Sequence, residues 1–165
     1  LTAAMEAVSG TEVKVFGVTA LTSLSNDDAK IIFKRNISNQ VNRMLDLAEA
    51  AGIDGVVCSP HELELVNKRK SLLSITPGIR LKDSNDDQKR IMTPREAIDL
   101  GADYLVIGRP ITGSSDIKKS LSEIHKSIKI YKCSIVCYIF YNAFNNLSFL
   151  KIFQQLYFYS RVIFF

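Results

Sequence analysis

The stretch AEAAGIDGVV at residues 48–57 is echoed by AIDLGADYLV at residues 97–106, two strand–helix units or 49 residues further along. In each copy a helical segment ends at a glycine, Gly52 or Gly101, a residue that readily adopts the left-handed conformation that caps helices. An aspartate and an uninterrupted apolar run follow. Apolar runs without alternation are typical of parallel strands buried on both faces. The echo therefore predicts repeated strand–helix units, as in an open α/β sheet or a (β/α)8 barrel.

Four apolar segments have the length and composition of buried strands. They are short, rich in β-branched residues and separated by turn residues. The predicted strands are residues 13–21, 55–58, 72–76 and 104–107. Because a barrel needs eight strands, the pattern alone predicts either a small open sheet or half a barrel. Half a barrel would leave two sheet edges unpaired, so we expect it to aggregate or dimerise.

Helix-start signals separate these strands. Residues 59–62 (SPHE) and 93–96 (TPRE) each combine a hydroxyl residue, a proline and a glutamate in the order of a capping box. Residues 41–51 follow helical spacing, and residues 22–27 predict a loop. Asp116 is the predicted N-cap of a closing helix that runs to residue 129. The chain opens inside a predicted helix at residues 2–8, as expected of a sequence that lacks its natural beginning.

The composition changes sharply near residue 129. Of the 15 Phe and Tyr residues, 12 lie in residues 131–165, and no acidic residue follows Glu123. We therefore expect a folded domain at residues 1–129 and a tail at residues 130–165, of frameshift or read-through origin, to which no function is assigned. Residues 133–150 carry no charge, which raises the possibility of a membrane helix, but three asparagines in that run argue against it.

Several classes of function are disfavoured by composition. The net charge of +4 comes partly from the tail, and the other basic residues are scattered among acids, so nucleic-acid binding is not expected. The 3 cysteines form no CxxC pair, which argues against a disulfide framework or a zinc site. Asp83, Asp86 and Asp87 lack the spacing of a calcium loop and predict a solvated loop. No secretory signal is visible, so we expect a cytoplasmic protein.

Polar residues that suit a phosphate follow the last two predicted strands. Functional groups in barrels lie at the C-terminal ends of strands, and the final loops often bind phosphate. These loops contain Arg80, Gln88, Gly108 and Arg109. Arginine offers a bidentate fork, and glycine lets backbone amides approach an anion closely. Taken singly, each arginine is more typical of a solvated loop charge. His61, near the start of a capped helix, is expected to face solvent.

Five runs of residues occur in an order and at separations that are specific to one family. They are VTALTS (18–23), GVVCSPHE (55–62), TPGIR (76–80), DDQKRIMTP (86–94) and GADYLVIGRPIT (101–112). Over residues 1–129 the chain resembles the C-terminal half of bacterial orotidine 5′-phosphate decarboxylase. The resemblance implies a (β/α)8 TIM barrel, usually a homodimer, that converts orotidine 5′-monophosphate to UMP and CO₂ in pyrimidine biosynthesis. It implies no metal or organic cofactor.

The resemblance also assigns roles to individual residues. Thr22 matches the hydroxyl residue beside the pyrimidine. Arg80 and Gln88 match residues of the phosphate loop, and Gly108 and Arg109 match the final phosphate contacts. These are the predicted substrate-binding residues.

The family's catalytic segment has no counterpart in these 165 residues. That segment, Asp-x-Lys-x-x-x-x-Asp, supplies the lysine that protonates the carbanion left by CO₂. Three Asp-x-Lys triplets occur here, at Asp28, Asp87 and Asp116, but none is completed by the second aspartate or follows a predicted strand. We therefore expect a lyase fragment that is inactive alone and needs an N-terminal half. The alternative is a degraded, non-catalytic fragment with at most weak binding of nucleotide phosphate.

Overall fold

A parallel sheet organises the computed structural model, which describes residues 1–81 and 92–128 and the backbone of residues 162–164. Its strands lie in the order β4-β3-β2-β1-β5, and every neighbouring pair is parallel. The strands are β1 (Lys14–Val18), β2 (Gly55–Val57), β3 (Leu73–Thr76), β4 (Tyr104–Leu105) and β5 (Val162–Phe164). The four strands predicted from sequence are therefore confirmed, each shorter than its apolar run.

Helices alternate with the strands, as the βα pattern predicted. They are α1 (Thr2–Val8), α2 (Asn26–Phe33), α3 (Ile37–Ala51), α4 (Leu63–Asn67), α5 (Pro94–Asp99), α6 (Arg109–Thr112) and α7 (Ile117–Ile128). Gly52 and Gly101 have φ of 68° and 85°, so both glycines of the echo adopt the left-handed conformation that was predicted. No helix in the described part of the chain is long and apolar enough to cross a membrane, and residues 133–150 lie outside that part.

The predicted caps form at the expected residues. At Thr93 the backbone N–H donates to Glu96 Oε2 (2.9 Å), and the Glu96 N–H donates to Thr93 Oγ1 (3.3 Å). At Ser59 only the glutamate half of the box forms: the backbone N–H donates to Glu62 Oε2 (3.0 Å), whereas the Ser59 hydroxyl has no hydrogen-bond partner among the described residues. The first turn is a 3₁₀ turn, and α4 begins only at Leu63. The Lys119 N–H donates to Asp116 Oδ1 (2.9 Å), which confirms Asp116 as the N-cap of α7.

Helix α2 replaces part of the predicted loop, because residues 26 and 27 already belong to it. Ser25 caps it: the Ser25 N–H donates to Asp28 Oδ2 (2.8 Å) and the Asp28 N–H donates to Ser25 Oγ (3.2 Å). Only Ala29 of the helix is fully buried, so the segment shows little of the apolar periodicity that marks longer helices. Capping and a contact with α3 therefore stabilise a helix that hydrophobic spacing does not reveal.

The expectation of two unpaired sheet edges is wrong on the β1 side. Strand β5 lies parallel to β1, with Lys14 opposite Val162 and Phe16 opposite Phe164. An edge strand presents unpaired backbone N–H and C=O groups, and β-branched residues such as Val162 and Ile163 favour extended backbone. On the other side, β4 is the outermost strand among the described residues.

The sequence echo has a structural cause in the two aspartates that it contains. Asp54 immediately precedes β2, and its Oδ2 accepts the Val15 N–H of β1 (2.8 Å). Asp103 immediately precedes β4, and its Oδ2 accepts both the Ser74 N–H (2.8 Å) and the Ser74 hydroxyl (3.0 Å) of β3. In both copies the carboxylate therefore joins the start of one strand to the second residue of its neighbour.

Candidate functional site

The carboxyl ends of β1 to β4 lie at one edge of the sheet, because all four strands are parallel. Beyond the last paired residues, the Val106 N–H donates to Thr76 O (2.9 Å), which keeps the ends of β3 and β4 together. Parallel neighbours lie about 4.8 Å apart, so the segments that follow β3 and β4 start side by side. The predicted phosphate residues lie in these two segments.

A cleft of about 410 Å³ opens where these segments meet helix α7. Leu81 lines it from the segment after β3, and Arg109 lines it from the start of α6. Ser114, Ser115 and Lys119 contribute polar groups from the far wall. Arg109 and Leu81, which follow two neighbouring strands, therefore share one concavity, and of the described phosphate residues predicted from sequence only Arg109 lines it.

The cleft carries charges of both signs. Arg109 and Lys119 are cationic, whereas Asp116 and Glu123 are acidic and lie on the α7 side. Asp116 is already engaged by the Lys119 backbone at the start of the helix. Sequence reasoning missed Lys119, although its position three residues after an N-cap places it on the first turn of α7, where a helix favours anions.

Arg80 lies beside this cleft rather than on its lining. Its backbone N–H donates to Met92 O (3.0 Å), and its Nη1 donates to Ile79 O (2.9 Å). The residue is only 5% exposed, and a buried guanidinium requires hydrogen-bond acceptors or an anion around it. The next residue, Leu81, lines the cleft, whereas Arg80 does not. Gln88 lies outside the described residues.

Gly108 and Arg109 begin a short helix instead of ending a strand. The predicted strand stops at Leu105, and Gly108 O accepts the Ile111 N–H (2.8 Å) and the Thr112 N–H (3.1 Å) of α6. A Cβ atom at Gly108 would meet no atom within 4 Å. The backbone at Gly108 is therefore approachable, and Arg109 itself is exposed.

Thr22 lies at the same edge of the sheet but not in the cleft. It occupies a turn after β1, where it is half-buried. Strand β2 separates β1 from β3, so β1 and β3 are about 10 Å apart at two strand spacings. Thr22 therefore follows a strand that is two places from β3, which Arg80 follows, and three places from β4, which Gly108 and Arg109 follow.

Cys58 and His61 are not among the residues that line the cleft. Cys58 is buried, as expected of a small core residue, and burial raises the pKa of its thiol to about 12, helped by the charge of Glu62. His61 is exposed on the 3₁₀ turn. Over residues 1–81 and 92–128, no group of His, Cys, Asp or Glu side chains could hold a metal ion, and Asp83, Asp86 and Asp87 lie outside these ranges.

Comparisons with known proteins place most of the chain in one family. Residues 1–124 match the orotidine 5′-phosphate decarboxylase / HUMPS family. The orotidine 5′-phosphate decarboxylase of Coxiella burnetii (strain RSA 331 / Henzerling II) is 52% identical over 119 residues, covering 70% of this chain and 50% of that protein. The enzyme of the same name from the Wolbachia of Culex pipiens is 46% identical over 128 residues, covering 76% of this chain and 57% of that protein. The chain thus spans about half the length of these relatives.

Solved structures agree with this assignment. Orotidine 5′-phosphate decarboxylase from Lactobacillus acidophilus superposes with a TM-score of 0.55 at 34% identity, covering 69% of this chain and 48% of that one. An uncharacterized conserved protein from Geobacillus kaustophilus gives a TM-score of 0.59 at 29% identity, covering 76% and 56%. By its sequence and by its parallel α/β sheet, the chain belongs to the orotidine 5′-phosphate decarboxylase / HUMPS family.

Proposed function

We propose that this chain is the phosphate-binding half of an orotidine 5′-phosphate decarboxylase, a lyase that forms UMP and CO₂ from orotidine 5′-monophosphate. One observation carries the proposal: Arg109 and the neighbour of Arg80, Leu81, line the same cleft at the carboxyl edge of β3 and β4. Relatives that share about half the residues of the matched region are named as this decarboxylase.

The phosphate of the nucleotide would be held by Arg80, Gln88, Gly108 and Arg109. A phosphate monoester carries nearly two negative charges, and guanidinium groups with a backbone amide match its oxygens. The open approach to Gly108 and the exposure of Arg109 suit a contact with a ligand from solvent. Lys119 on the opposite wall adds a second cation within the cleft.

The pyrimidine end of the nucleotide would lie toward Thr22. Strands β1 and β3, which precede Thr22 and Arg80, lie about 10 Å apart at two strand spacings, which suits a ligand whose base and phosphate are held at separate points. The bound nucleotide would then lie across the carboxyl edge of the sheet, from β1 to β4.

The architecture suits half of a TIM barrel. Strands β1 to β4 pair in sequential order and in parallel, which is how consecutive strands pair in a (β/α)8 barrel. Four such units are half of the eight that closure requires, and the chain spans about half the length of its curated relatives. The other four units would come from an N-terminal half, whether on a second polypeptide or a longer chain, and the assembled protein would form the homodimer usual for the family.

Binding and proton transfer would therefore belong to different halves. The 165 residues contain no Asp-x-Lys-x-x-x-x-Asp segment, so the proton donor to the carbanion must be supplied by the other half. The phosphate site still contributes to the rate, because binding energy from a remote group can be used at the reacting carbon. This chain alone should bind nucleotide phosphate without turnover.

The test is a decarboxylase assay of this chain with and without the N-terminal half of a complete family member. The N-terminal half alone is the control, and UMP binding to this chain is followed by calorimetry. We expect turnover only from the mixture. Turnover by this chain alone, within tenfold of a complete enzyme, would contradict the assignment of halves. A mixture without turnover, together with no UMP binding, would favour a degraded fragment.

A further inference from the structure

Strand β5 pairs with only part of the β1 edge. Residues 14–16 of β1 lie opposite residues 162–164 of β5, whereas β1 itself continues to Val18. The last two residues of β1 therefore have no register partner in residues 162–164. Val18 is 40% exposed, and Leu21 just beyond the strand is 59% exposed. This end of the edge thus presents apolar surface that a longer strand could cover.

The direction of the backbone groups shows which atoms β5 covers. The Val15 N–H donates to Asp54 Oδ2 (2.8 Å) at the start of β2. Because N–H groups alternate in direction along a strand, those of Phe16 and Val18 point away from β2, toward the β5 side. Ile163 lies opposite Val15, so its own N–H and C=O are the β5 groups that face β1. Strand β5 therefore pairs with the outward groups of Phe16, whereas its register ends before Val18.

The position of β5 is one that a closed barrel gives to a different strand. Consecutive strands of a (β/α)8 barrel pair in parallel, and β1 to β4 follow that order. The neighbour of β1 on the side away from β2 would then be the last strand of the N-terminal half. Strand β5 lies on that side and runs in the parallel direction that this neighbour requires. The two strands need the same backbone groups of β1, so they cannot pair with it together.

We propose that the β1 edge accepts one of two strands, β5 of the same chain or the last strand of an N-terminal half, and that β5 must leave before the halves join. This inference rests on the proposed function, because it takes the N-terminal half as the partner. When β5 is paired, the edge is open in only a fraction of the molecules, and the apparent affinity for the partner falls by that fraction.

The same geometry makes β5 replaceable. Its register with β1 spans three residues, so few hydrogen bonds hold it. An entering strand can pair first with the outward N–H of Val18, beyond the residues that β5 covers. Extension of that pairing toward Lys14 would then displace β5 residue by residue.

Two proline variants of the full chain test whether β5 holds the edge. Proline has no N–H, so Ile163→Pro removes the donor that faces β1 and should release β5. Val162→Pro is the matched control, because the N–H of the preceding residue points away from β1 and its loss is tolerated at a sheet edge. In the chain alone, the Phe16 amide should exchange its hydrogen at least about tenfold faster in Ile163→Pro than in Val162→Pro. Circular dichroism checks that both variants remain folded.

Association with the N-terminal half of a complete family member tests the competition. By isothermal calorimetry, Ile163→Pro should bind that half with a dissociation constant at least about tenfold lower than the wild type and Val162→Pro, as expected if the edge is open in about one wild-type molecule in ten. An equal or higher dissociation constant, or equal exchange of the Phe16 amide in the two variants, would overturn this inference alone. No association in any variant would overturn the proposed function as well.

Discussion

At the scale of single residues, Gly55 shows how closely the sheet packs. A Cβ atom at this position would lie 2.3 Å from Leu73 O and 2.6 Å from the ring of Phe16. The phenylalanine ring in turn contacts Tyr104 edge to face, with centroids 6.3 Å apart. A backbone oxygen cannot move without disturbing the pairing of β2 with β3, so only glycine fits here.

The first prediction follows from that contact. Gly55→Ala should lower the free energy of unfolding by about 2 to 3 kcal/mol, the scale of overpacking in a filled core. Gly17→Ala is the control, because a Cβ there meets the flexible end of Ile53 at 3.0 Å, and it should cost under about 1 kcal/mol. Urea unfolding measures both. Equal losses of unfolding free energy in the two variants would show that the close approach to Leu73 O does not determine the cost of adding a Cβ at Gly55.

Cys58 supports a prediction about alkaline pH. Burial raises its pKa to about 12 from an ordinary value of 9.0, so the folded protein keeps the thiol neutral. Above pH 9 the unfolded chain loses this proton first, and stability falls as pH rises from about 9 to about 12. The slope should be about 1 kcal/mol per pH unit. Cys58→Ala should reduce that slope. A variant that keeps the wild-type slope would contradict the assignment of this pH dependence to the Cys58 thiol.

Arg109 supports a prediction about binding. In a barrel reassembled with an N-terminal half, Arg109→Ala should weaken UMP binding by about 2 to 3 kcal/mol, the scale of a lost charged hydrogen bond. Arg95→Ala is the matched control, since Arg95 pairs with Asp99 on the exposed side of α5 (2.9 Å). Isothermal calorimetry compares the two. Equal affinities would mean that Arg109 serves a structural ion pair rather than a ligand.

At the scale of elements, the repeated aspartates join one βα unit to the next. Asp54 and Asp103 each accept a backbone N–H from the neighbouring strand, and Asp54 also lies 3.6 Å from Lys14 Nζ. A backbone N–H at the second residue of a strand needs an acceptor, and the carboxylate supplies one where the ladder has not yet begun. The same hydrogen bond, from a strand N–H to an aspartate carboxylate, forms in both units and explains why the sequence repeats at these aspartates.

Removing one such carboxylate gives the element-scale prediction. Asp103→Ala leaves both the N–H and the hydroxyl of Ser74 without this acceptor, and Ser74 is fully buried. The cost should be about 1 to 3 kcal/mol, and the Ser74 amide should exchange its hydrogen faster. Asp99→Ala, which removes only an exposed ion pair, should stay within about 0.5 kcal/mol of wild type. An Asp103 variant as stable as the Asp99 variant would refute this role.

At the scale of the whole molecule, the sheet has two different edges. Strand β5 lies along β1, whereas β4 is the outermost strand on its side within the described ranges. In a closed barrel β4 would pair with the first strand of the other half. A complementing N-terminal half must therefore reach β4, and it must also replace or accommodate β5.

That geometry gives a prediction for hydrogen exchange. Adding the N-terminal half of a family member should slow exchange at the amide of Leu105, because N–H groups alternate along a strand and that of Val106 already points to β3, so that of Leu105 would gain a strand partner. The amides of β2, paired on both sides already, should change least. Protection that appears only at β2, or nowhere, would argue against closure of a barrel.

Features that depend on neighbouring residues can be predicted from the amino-acid sequence. Strands β1 to β4, the caps at Thr93 and Asp116, and the left-handed Gly52 and Gly101 all follow from residues within a few positions of each other. The order of the family's runs also identified the family. Short-range hydrogen bonding and apolar burial decide these features, so a linear pattern carries them.

Features that depend on residues distant along the chain become visible only in the folded molecule. These include the hydrogen bonds between Asp103 and Ser74 and the pairing of β5 with β1. Neither has a local signature, because each arises when strand pairing brings together segments tens of residues apart. Helix α2 belongs here as well: its hydrophobic pattern is faint, and the contact with α3 determines which side is left exposed.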